Sequence, residues 1–149
     1  MACGLILIPL SIGIITTVDE HYKIKEMLSN GESLSVNTKF NDSSLLLKTL
    51  YEYGLSPQQI SSNCFSVKFS DGDIIYNRPS ADIPFSMTIR NITDKDRLIK
   101  ELIDIEQEYN CNVQEYTYKR VLNNLPEGMA IENEEVLEDD SILITLSVE

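Results

Sequence analysis

The chain has 149 residues, a net charge of −12 and three cysteines, and this length fits one domain with a substantial core. With 42% hydrophobic and 24% charged residues it is too apolar for disorder. Its acidic excess argues against nonspecific nucleic-acid binding and against docking on anionic lipid, because both run on lysine and arginine.

Residues 4–18 contain no charge, and no Lys or Arg precedes Lys23, so the positively charged start of an export signal is missing. The 15 residues fall short of the roughly 20 that span a bilayer as a helix, and Pro9 and Gly13 interrupt them. Three roles fit this segment: a core element, an oligomer contact or a membrane-inserting contact. The last two would use Leu5, Ile6, Ile8, Ile12 and Ile14. Residues 19–30 turn polar and read as a helix stopped by Asn30-Gly31. An N-terminal element over 1–30 thus leads into a body over 31–149, within a single domain.

Leu34, Val36 and Thr38 alternate with polar neighbours, as in a half-buried strand. Asp42 or Ser43 caps a helix carrying Leu46, Leu47, Leu50 and Tyr51 and closed by Gly54, and Ser56-Pro57 opens one further helical turn. Over Cys64–Arg78 the alternation predicts a hairpin with a type I′ turn at Asp71-Gly72, pairing Phe69 with Ile74 and Val67 with Tyr76. Phe85, Met87 and Ile89 add a third strand. Thr93 to Asp96 reads as a capping box for a helix with Leu98, Leu102, Ile105 and Tyr109 on one stripe. Asn110-Cys111-Asn112 leaves open one long helix or a pair, running to Pro126-Glu127-Gly128. The tyrosines at 109 and 116, seven apart, are expected to share the core stripe rather than form a base-stacking platform with Tyr118, Lys119 and Arg120. A final hairpin places Ile142, Ile144, Leu146 and Val148 on one face, with Glu138-Asp139-Asp140 at its turn and a bulge near Glu134-Glu135. The fold class is α+β: an antiparallel sheet, made of a three-strand meander plus the C-terminal hairpin, with helices packed on one face.

No catalytic constellation stands out. His21 is the single histidine, no G-x-S-x-G elbow occurs, and no spacing matches a metal loop. Cys3, Cys64 and Cys111 form no C-x-x-C pair, which suits a reduced, cytoplasmic setting without a structural zinc. The expectation is a non-enzyme with no cofactor and no metal. After Arg120 the chain holds eight acidic residues and no Lys or Arg. This asymmetry points to a protein partner with a basic surface, met by Glu134, Glu135, Glu138, Asp139 and Asp140.

The run Leu98–Tyr109, the segment Tyr116–Leu122 and the closing Asp140-Ser141-Ile142-Leu143-Ile144-Thr145-Leu146 resemble the DUF1257 family, with Asp140 where its closing pattern has glycine. The resemblance covers about a third of the chain, the C-terminal third. It implies a small protein without a transferable active site, in an adaptor or accessory role beside an AAA+ ATPase. Three function classes follow. The first is a non-enzymatic adaptor. The second is an acidic inhibitor, either an immunity protein or a nucleic-acid mimic blocking a basic cleft. The third is a membrane-associated or self-assembling protein using the apolar N-terminus.

Overall fold

The computed structural model describes residues 3–8 and 34–148. The predicted polar helix over 19–30, His21, Ile12 and Ile14 lie outside the described residues. The class is α+β, as expected, with two helices and two antiparallel sheets among the described residues. Contacts divide the chain into two compact units, Gly13–Tyr109 and Met1–Ile12 with Asn110–Glu149. The meander and the C-terminal hairpin lie in different sheets rather than in one. Among the described residues no helix is long and apolar enough to cross a membrane.

The first unit holds a five-stranded sheet of β2 (Leu34–Asn37), β3 (Gln58–Ser61), β4 (Cys64–Phe69), β5 (Gly72–Asn77) and β6 (Ser86–Arg90), in the order β2-β6-β5-β4-β3. Period-two alternation buries Phe65, Val67, Phe69, Ile74, Tyr76, Met87 and Ile89 on one face, while Lys68, Asn77 and Arg90 are exposed. Helix α1 (Ser43–Glu52) starts at Asp42, whose carboxylate accepts from the Leu45 N–H at 3.1 Å. It ends where Gly54, at φ +90°, lets its own N–H reach the Tyr51 carbonyl and the Leu55 N–H reach that of Leu50. Leu46 and Leu50 are buried, and so are Leu98, Leu102, Ile105 and Tyr109 of helix α2 (Lys95–Asn123).

The structure departs from three local predictions. After Ser56-Pro57 the chain forms edge strand β3, paired Gln58 to Ser66, instead of a helical turn. Proline fits both sites because neither needs its missing N–H. The β4–β5 turn is Ser70-Asp71, with Phe69 opposite Gly72, Val67 opposite Ile74 and Phe65 opposite Tyr76, a register two residues from the predicted one. Neither Asp71 nor Gly72 has positive φ. A Cβ on Gly72 would stand 3.1 Å from the Leu98 side chain, so this glycine admits the helix rather than bending the turn. Because the shift is by two, every side chain keeps its face. Finally, the cap of α2 is Asp94, whose carboxylate accepts from the Arg97 N–H at 3.2 Å, while the Thr93 hydroxyl donates to Asp71.

Asp71 explains the displaced turn. It is buried, and its carboxylate takes both Arg97 Nη2 at 2.7 Å and Nε at 3.1 Å. The Arg97 fork holds this acid below the usual carboxylate range. The aromatic residues Phe40, Tyr76, Phe65, Phe85 and Tyr109 pack edge-on or tilted, at centroid distances of 4.5–6.1 Å. The Tyr109 hydroxyl accepts from the Asn41 and Asp42 N–H groups at 3.2 Å. That of Tyr76 is buried without a hydrogen-bond partner among the described residues, and burial pushes its pKa up. Tyr76→Phe should therefore raise stability by about 1 kcal/mol, since it removes a desolvated hydroxyl and keeps the ring. A urea midpoint below that of the parent protein would contradict this reading.

The second unit joins β1 (Cys3–Ile8) to the hairpin of β7 (Met129–Val136) and β8 (Ile142–Val148) in the order β1-β8-β7. Ile8, Ile144 and Leu146 form its buried core, with Ile6, Tyr118, Val121, Leu125, Met129, Ile131 and Ile142 packed around them. The predicted bulge falls between Ile131 and Asn133, slightly earlier than Glu134-Glu135. Helix α2 runs unbroken through Asn110-Cys111-Asn112. Tyr109 is buried but Tyr116 is 47% exposed, so the shared stripe is not observed. A seven-residue spacing drifts about 20° around a straight helix.

Candidate functional site

The second unit carries more than half of the net negative charge. It contains nine acidic residues and two cations, Lys119 and Arg120. Strand β7 is an edge of its sheet, and Glu134, Glu135, Glu138, Asp139 and Asp140 are exposed along it and its turn. None of these five pairs with a cation among the described residues. They are not equivalent, however.

Glu134 lies opposite Ile144 on the helix-covered face, and its carboxylate accepts from the Tyr118 hydroxyl. That bond is the main reason the Tyr118 pKa is raised. Asp139 accepts from the Ser141 N–H at 3.0 Å, which holds its carboxyl below the ordinary range. Asp140 has φ +64°, a left-handed conformation that Asp and Asn adopt more readily than other side-chain-bearing residues. Its carbonyl accepts from Gln114 Nε2 at 2.7 Å. Glu135 lies opposite Leu143, and Glu138 sits in the turn. These last two are the most available to a partner. Gln114 and Tyr118, one helical turn apart on α2, brace the hairpin from behind. Sequence reading missed both as supports, although their i, i+4 spacing is the signal that could have found them.

The apolar N-terminal candidates divide differently. Ile8 is 1% exposed and belongs to the core, and Ile6 is half-buried against it. Leu5 lies on β1 opposite Thr145. Leu7, which was not singled out, is 57% exposed on the opposite face.

The same unit holds an open groove of about 440 Å³. Val121 and Leu125 of α2 and its C-terminal extension form the wall, with Ile6 of β1 and Leu146 of β8 beneath. Arg120 stands at its rim, its guanidinium carbon 5.8 Å from the Tyr116 ring centroid. Among the described residues no three carboxylate, cysteine or histidine side chains converge to hold a metal ion. No family model matches the chain, and no curated protein or solved structure is found similar to it.

Proposed function

We propose that this protein is a non-enzymatic adaptor or accessory subunit whose acidic C-terminal hairpin docks on a basic surface of a protein partner. One observation carries the reading: five exposed carboxylates stand along one edge strand and its turn, free of cationic partners among the described residues. Complementary charge of this kind steers encounter and selects partners. The resemblance to the DUF1257 family supplies the partner class, an AAA+ ATPase.

The test uses the double variant Glu135→Lys/Glu138→Lys, which leaves the Tyr118, Ser141 and Gln114 contacts untouched. Captured from its native host, the tagged parent protein should recover a specific partner, and the variant should recover it about tenfold less well or worse. Equal recovery would place the binding site elsewhere. Competition between DNA or RNA and this protein for the partner would convert the reading to an inhibitor that mimics nucleic acid.

A further inference from the structure

Of the two cations in the second unit, Lys119 is engaged one helical turn back, with its Nζ 2.8 Å from Glu115 Oε1. Arg120 forms no ion pair among the described residues, although acids outnumber cations nine to two in this unit. Among the described residues no helix carbonyl accepts from its guanidinium. The Arg120 carbonyl already accepts from the Asn124 N–H at 3.1 Å and from Asn124 Nδ2 at 2.8 Å. The group stands in the lining of a mostly apolar groove formed by Ile6, Val121, Leu125, Pro126 and Leu146, to which Thr117 and Asn124 add polar atoms.

The backbone around this groove limits what can occupy it. Strand β8 is paired on both sides, with β1 and with β7, and α2 satisfies its amides internally. At Leu146 the floor therefore offers no free main-chain groups, and at Ile6 it offers them only along the outer edge of β1. What matches an apolar floor beside an unpaired cation is a hydrocarbon chain that carries one anionic head. The volume lies within the range of small-molecule sites. A guanidinium fork grips a carboxylate with two parallel hydrogen bonds.

We propose that this groove binds a medium-chain carboxylate, its hydrocarbon lying on Ile6, Val121, Leu125 and Leu146 and its head held by Arg120. The groove shares none of its residues with the carboxylates proposed for docking on the hairpin. The test follows backbone amide shifts of the full chain during titration with decanoate, below its micelle concentration. Decanol and decyltrimethylammonium serve as neutral and cationic probes. Decanoate should shift amides over 117–126 saturably and should bind Arg120→Gln about tenfold more weakly, whereas decanol should bind parent and variant alike. Arg120 is exposed, so the variant should fold as the parent does, which its amide spectrum reports directly. Absence of saturable shifts, equal affinity of the variant for decanoate, or tighter binding of the cationic probe would each overturn the proposal.

Discussion

Arg78→Met should lower stability by about 3–5 kcal/mol, the largest single-residue effect expected outside the apolar core. Arg78 follows β5 and is only 7% exposed, yet its described partners include no carboxylate. Its Nε donates to Asn63 Oδ1 at 2.9 Å, and Nη1 donates to the Asn41 carbonyl at 2.6 Å and, more weakly, to that of Ala81 at 3.5 Å. The guanidinium carbon lies 4.2 Å from the Phe85 ring centroid. One side chain thus ties the β3–β4 turn, the start of α1 and the β5–β6 loop together. Methionine keeps much of the stem's bulk but strands these acceptors. Each hydrogen bond to a charged donor contributes about 1.5–3 kcal/mol, and the desolvated cation–π contact contributes up to about 2. Desolvation of the buried cation offsets part of that sum. Against a typical domain stability of about 5–15 kcal/mol, the urea midpoint should fall by roughly a third or more. Arg78→Lys should recover less than half, because a single ammonium cannot span three separated acceptors. An unchanged midpoint in Arg78→Met would show that these contacts contribute nothing net.

Ile144→Ala should cost about 3–4 kcal/mol and should remove hydrogen-exchange protection from β1, β7 and β8. Ile144 is fully buried on the central strand, opposite Ile6 of β1 and Glu134 of β7. Among the described residues its core cluster has two other fully or nearly fully buried apolar side chains, Ile8 and Leu146. A core this small has few neighbours able to close over the lost methyl groups, so the cavity persists. Leu143 is half-buried on the other face of the same strand, and Leu143→Ala should cost about 1 kcal/mol or less. Equal losses for the two variants would mean that the helix-covered face is not the core.

The reason some of this was legible in the sequence and some was not lies in the range of the interactions. The Asp42 cap, the Gly54 stop and the β4–β5–β6 alternation are local signals, written within a few residues of the structure they produce. The β4–β5 register was misread because Asp71-Gly72 carries the local signature of a type I′ turn. A buried pair with Arg97 and the approach of Leu98 override that signature. Neither partner is near in the chain, and period-two alternation looks the same in registers two apart. The separation into two sheets was hidden for the same reason. It depends on Ile6 meeting Ile144, and alternation reports that a strand has a buried face without saying which strand it pairs with.

The candidate site was legible in outline. A run of acids around Glu138-Asp139-Asp140, between two alternating segments, had to be a solvated turn. Its division into structural and available carboxylates was not legible. That division rests on Tyr118 and Gln114 projecting from a helix whose phase through Asn110–Asn112 was left open, and on the left-handed backbone of Asp140. The groove was less legible still. Arg120 was noticed beside its tyrosines, but its surroundings come from β1 and β8, at opposite ends of the chain.

The most direct test of the account is the salt dependence of the complex between this protein and its captured partner. Docking through exposed carboxylates should weaken by about tenfold or more between roughly 0.05 and 0.5 M salt, because the screening length contracts across that range. The Glu135→Lys/Glu138→Lys variant should lose most of that dependence. Affinity that stays constant across the same range would mean that apolar contact holds the complex, and that the acidic hairpin does not.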